Sequence, residues 1–106
     1  PTVNNDQLVR RLKKVWVAAL GSDNVVSLSS QSMGAEDFPY FTTDPEIASV
    51  YFAVGGSSAE DLSAATEGGP AIPSHHSPLF KIEPQPAVIS GVHATVSALF
   101  NLMPVN

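Results

Sequence analysis

Ser49-Val50-Tyr51-Phe52-Ala53-Val54-Gly55-Gly56 sets an uncharged, largely apolar run of six residues ahead of two glycines. Residues alternate between two faces in an extended chain, and here both faces are apolar, as expected of a strand buried inside a sheet with helices on either side. The run therefore predicts an α/β fold. In open α/β sheets ligands bind beyond the carboxyl ends of the strands, and glycines there let a substrate approach the backbone. An ordinary turn is the other reading of Gly55-Gly56.

Working back toward the N-terminus, Pro45 closes the segment that precedes this run. Before it comes Met33-Gly34-Ala35-Glu36-Asp37-Phe38. Gly34 permits a tight turn, and the two acids fall in the first turn of whatever helix follows, where the helix dipole favours negative charge. Capping accounts for Asp37. It accounts less well for Glu36, because adjacent acids repel unless a cation or proton donor lies nearby. Pro39, Tyr40 and Phe41 keep any helix there short or irregular. Residues 25–28 are a short run opened by the β-branched Val25 and Val26 and read as a second strand. Further back, Leu8, Leu12, Val15, Trp16 and Ala19 recur at three- and four-residue spacing, with Arg10, Arg11, Lys13 and Lys14 on the other faces. That pattern is an amphipathic helix, started by side-chain acceptors among Asn4, Asn5 and Asp6 and stopped at Gly21.

Toward the C-terminus, residues 57–74 are rich in Ser, Ala, Gly and acids and read as a mobile surface loop with one loose helical turn around residues 59–65. Gly68, Gly69, Pro70 and Pro73 prevent a regular element at its end, and a loop this long is either functional or disordered. It leads to Ser74-His75-His76-Ser77-Pro78-Leu79-Phe80. If this segment is extended, the two imidazoles point to opposite sides, so only one of them serves as ligand or acid/base, while Leu79 and Phe80 anchor the segment in a core. A loop histidine hydrogen-bonded at the surface is the bland alternative. From Pro84 onward the pattern is helical again, with Pro86 in the first turn, an apolar stripe of Ile89, Val92, Val96, Leu99 and Met103, His93 on its flank, and Pro104 beyond the end.

Five basic and ten acidic residues give a net charge of −5, and four of the cations crowd into the first helix. Acidic surroundings oppose a long nucleic-acid track. With no cysteine there is neither a disulfide framework nor a thiolate metal site. No apolar run approaches membrane-spanning length, so neither nucleic acid nor membrane is an expected partner. The expected compartment is the cytoplasm.

Three segments in order, residues 33–38, 51–56 and 75–80, together resemble the C-terminal part of the catalytic domain of the co-catalytic metallo-amidohydrolases. That family contains hippurate hydrolases, aminoacylases, hydrolases of indole-acetyl amino acids and carboxypeptidase G. The resemblance covers nearly all of residues 1–106, read as a single fragment of a catalytic domain. It implies an α/β fold, a partial sheet with flanking helices from a phosphorylase/hydrolase-like zinc-peptidase catalytic domain. It also implies two divalent metals in the parent protein, zinc in most branches and manganese in some. His76 matches the family's last metal ligand. Glu36 and Asp37 would orient a ligand or contact substrate, Gly55 would line the substrate end, and His75 has no family role to inherit.

The family's earlier ligand motif and its paired glutamates, one of them the general base, do not occur here. The implied function is that of the parent: metal-dependent hydrolysis of N-acyl amino acids or small peptides, with a homo-oligomeric parent compatible. The fragment itself would be inactive, metal-free, and inclined to self-associate through apolar surface. A non-catalytic protein-interaction module is the alternative, and an isolated metal-binding domain built on His75, His76 and His93 is a third.

Overall fold

The computed structural model describes residues 2–28 and 37–106, and these divide into two compact units, Pro1–Ala53 with His93–Asn106, and Val54–Val92. The described residues form three α-helices: α1 (Asp6–Leu20), α2 (Ala59–Thr66) and α3 (Pro84–Leu102). Two 3₁₀ turns, Ser22–Asn24 and Phe38–Phe41, complete the regular structure of the described residues. Helix α3 contributes its residues up to Val92 to the second unit and the remainder to the first.

In the first unit α1 forms as its sequence dictates. Asn5 is the N-cap, its side-chain oxygen accepting from the Leu8 N–H at 2.9 Å, which satisfies one of the helix's orphan donors. At the other end Gly21 takes φ +89°, a conformation that favours glycine, and Asn24 Nδ2 donates to the Leu20 carbonyl at 2.8 Å. The apolar face buries Leu12 and Trp16 against Ala94 and Ala98 of α3, with Leu8, Leu20, Val25 and Val50 packed around them. The Trp16 indole N–H donates to the Ala94 carbonyl at 2.8 Å, so this large ring is buried without stranding its polar atom. Its ring also lies 4.8 Å from that of Phe52, tilted by 47°. Arg11 donates to both the side-chain and backbone oxygens of Asn101 at 2.7 Å.

Helix α3 has the predicted extent, and the face it buries is not its apolar stripe. Pro84 and Pro86 sit in its first turn, where backbone N–H groups have no intrahelical partner to lose. Ala94 and Ala98 are 6% and 8% exposed, whereas Val92, Leu99 and Met103 of the apolar stripe are 53%, 49% and 70% exposed. The reason is shape: the buried indole of Trp16 projects from α1 toward α3, and a methyl-sized neighbour lets the backbone carbonyl of residue 94 come within hydrogen-bonding distance of it.

The expected α/β partial sheet with flanking helices is overturned: the described residues are helical and contain no strand. The stretch 49–54 lies unpaired, and Tyr51, Phe52 and Val54 are 43%, 40% and 42% exposed. A strand exists only where a neighbouring strand takes its backbone groups, and hydrophobicity alone does not name that neighbour. In this unit a side chain takes the part. Asn4 Oδ1 accepts from the Tyr51 N–H at 2.7 Å while Asn4 Nδ2 donates to the Tyr51 carbonyl at 2.8 Å, and the Asn5 N–H donates to the Ser49 carbonyl at 2.9 Å. Residues 25–28 fare likewise. Val25 is extended but its N–H closes the preceding 3₁₀ turn onto Ser22, and Val26 and Leu28 are exposed.

The second unit contains no buried residue. It is held by local chemistry. Ser58 caps α2 by accepting from the Asp61 N–H at 3.0 Å. At the far end the Gly68 N–H donates to Ala65 and the Gly69 N–H to Ala64, the paired bonds of a Schellman stop with Gly68 at φ +88°. The helical turn expected around residues 59–65 is thus a capped helix, Ala59–Thr66. The Gly56 carbonyl accepts from the Glu83 N–H at 2.8 Å, and an exposed ion pair joins Lys81 to Asp61 at 3.2 Å.

Candidate functional site

His75 and His76 occupy the two central positions of a tight turn closed by the Ser77 N–H donating to the Ser74 carbonyl at 2.9 Å. A second turn follows at once, with the Phe80 N–H donating to the Ser77 carbonyl at 3.0 Å. Ser77 Oγ also accepts from the Leu79 N–H at 3.1 Å. Short polar side chains compete for backbone donors in this way and favour turns over extended chain.

The turn changes what the histidine pair can do. In extended chain the rings would diverge, but here their centroids are 4.3 Å apart with the planes tilted by 49°. Both rings are exposed, and among the described residues neither makes a hydrogen bond. The anchoring expected from Leu79 and Phe80 is absent: they are 75% and 46% exposed. Hydrogen bonds, and not apolar packing, hold the pair in place.

The remaining predicted site residues are distributed as follows. Gly55 shares the second unit with the histidines, and nothing lies within 4 Å of where its Cβ would be. Its neighbour Gly56 is the tighter position, because a Cβ there would meet Ile82 Cγ2 at 2.6 Å and the Ile82 side chain would have to move. The Gly-Gly pair was the signal, but nothing in the sequence distinguishes its two members. Asp37 belongs to the first unit, where its carbonyl accepts from the Tyr40 N–H at 3.0 Å. It sits at the N-cap of the second 3₁₀ turn, yet its carboxylate makes no capping bond. Glu36, with the rest of residues 29–36, lies outside the described residues. His93 is exposed on α3 and belongs to the first unit.

A zinc ion that does chemistry takes about three protein donors. Among the described residues no group of three or more His, Cys, Asp or Glu side chains comes together to hold a metal. The two imidazoles of the turn do not by themselves fit a catalytic metal centre.

Comparison with known proteins gives one informative match. Over 98 residues, 92% of its length, the chain is 36% identical to IAA-amino acid hydrolase ILR1-like 6 of Arabidopsis thaliana. The chain covers 19% of that protein. No family model matches the chain, and no solved structure matches it significantly.

Proposed function

Because this chain is a relative of the hippurate hydrolase-like amidohydrolases, we propose that it is part of a metal-dependent enzyme that cleaves the amide bond of N-acyl amino acids or short peptides. The observation that supports this reading is the 36% identity spread over almost the whole chain, which includes the histidine turn. His76 would give one ring nitrogen to a divalent ion, zinc or manganese. Ser77, which fixes the turn through both its side chain and its backbone, would position that ring. Asp37 and Glu36 would orient a ligand or contact substrate, and Gly55 would line the substrate's path. The rest of the metal donors and the general base would come from polypeptide beyond these 106 residues, since the described residues do not complete the set.

The test is a panel of N-acyl amino acids and dipeptides offered to the intact polypeptide that carries this chain. The expected result is hydrolysis of at least one class, lowered by more than about a hundredfold in His76→Ala, since even partners of a metal ligand are worth 10- to 100-fold. No cleavage across the panel would remove the hydrolase reading. Cleavage that survives His76→Ala would remove the assigned role of the histidine.

The exposed apolar face of α3, with Val96, Leu99, Phe100 and Met103 outward, favours a second reading, a non-catalytic module that binds another protein. The mass of the native gene product separates the two. A product several times heavier than 11.1 kDa supports the enzyme, and one of that size supports the module.

A further inference from the structure

We propose that an apolar stripe of α3, formed by Val88, Ile89 and Val92, is the face through which the second unit docks onto the rest of its own polypeptide. The surface that covers the stripe is apolar and uncharged and lies beyond these 106 residues. Resting on the reading of this chain as part of a larger hydrolase, the inference names where the two parts meet.

The second unit, residues 54–92, is no longer than the about 40 residues below which a fold usually needs disulfides, a metal or association. The chain has no cysteine, and among the described residues no three His, Cys, Asp or Glu side chains gather to hold a metal. Association is what remains. Eight large apolar side chains of the unit are exposed and none is buried, so it has apolar surface to give and no core of its own.

Three of the eight share one face of α3. At about 100° per residue, Val88, Ile89 and Val92 span about 100° of the helix circumference, and they are 60%, 50% and 53% exposed. A helix at a protein surface sets charged residues opposite such a stripe, but α3 has no Asp, Glu, Lys or Arg from Pro84 to Leu102. The histidine turn is tied to this face by a short span. Only Lys81, Ile82 and Glu83 separate Phe80, whose N–H closes the second turn, from the start of α3. Seating the stripe therefore also limits where the histidines stand.

Charge argues against a second copy as the cover. The unit holds four carboxylates against one lysine, a net charge of 1 − 4 = −3, and two such units brought face to face repel. An uncharged apolar surface of the same polypeptide meets no such repulsion. The chain covers 19% of its Arabidopsis relative, so a hydrolase of that build carries several times this length from which the cover can come.

The test is amide hydrogen exchange followed by mass spectrometry on two samples, the 106-residue chain and the intact polypeptide that carries it. Peptides covering residues 84–92 should exchange at least tenfold more slowly in the intact polypeptide, and residues 74–80 should slow with them. This comparison needs no substitution. In the intact polypeptide Ile89→Lys and Val92→Lys should each restore fast exchange at residues 84–92. Ile89→Leu should leave it slow, as should Ser90→Lys, since Ser90 is exposed and lies about 100° or more round the helix from each of the three. Three results would overturn the proposal: equal exchange at residues 84–92 in the two samples, slow exchange retained in both lysine variants, or protection in the 106-residue chain that rises with its concentration. The last would make a second copy the cover. Amide cleavage is read separately. Protection without cleavage leaves the docking face and removes the hydrolase, and cleavage without protection does the reverse.

Discussion

All four buried side chains among the described residues, Leu12, Trp16, Ala94 and Ala98, lie in the first unit, while the second unit, which carries the histidine turn, has none. The first is stabilised by apolar burial, at about 1.5–3 kcal/mol for a fully buried large side chain. The second depends on caps and turns, whose hydrogen bonds contribute about 1 kcal/mol each. The difference has a functional side. Side chains that hold up a core cannot be changed without unfolding it, whereas His75 and His76 contribute nothing to packing and are free to serve a ligand. Segments with few buried contacts also open most readily.

The widest gap between the units should open at Trp16. Trp16→Ala removes the ring, its contact with Phe52 and its bond to the Ala94 carbonyl, and the expected loss is about 3–5 kcal/mol. Urea unfolding followed by circular dichroism measures it, and a loss under 1 kcal/mol would mean that the first unit has no working core.

A pair of neighbouring substitutions sharpens the point on one helix. Ala98→Leu pushes bulk into the buried face of α3 and should destabilise by about 1–3 kcal/mol, while Leu99→Ser one residue on should change stability by less than about 0.5 kcal/mol, as exposed sites do. If Leu99→Ser were the more damaging of the two, the apolar stripe and not the alanine face would be the packed one.

In the second unit the expected effects are smaller and local. Gly68→Val forces a branched side chain into φ +88°, at a cost of about 1–2 kcal/mol. Amide exchange should quicken in α2 and stay unchanged in α1. Faster exchange in both helices would show that the units do not differ as described.

The helices were readable because their signals are local. Asn5, the Leu12–Trp16 spacing and Gly21 specify α1, and the prolines at 84, 86 and 104 bracket α3. Which face of α3 is buried was not readable, because periodicity reveals an apolar stripe without saying that Trp16 would need small residues opposite it. The strand expected over residues 49–54 failed for a related reason. Its composition speaks of burial, but pairing is a property of two segments, and the group that meets Tyr51 is the side chain of Asn4, 47 residues away.

At the site, the histidine pair and the double glycine stood out in the sequence. The closing of the turn by Ser74 and Ser77 was missed, although serines flanking the pair and Pro78 after it are turn residues. That omission placed the rings on opposite sides.

Metal analysis of the intact polypeptide, purified without added metal, is the most direct check on the role given to His76. The account predicts bound zinc or manganese in the wild type and the loss of at least one ion per chain in His76→Ala, with secondary structure unchanged. Equal metal content in the two proteins would contradict it.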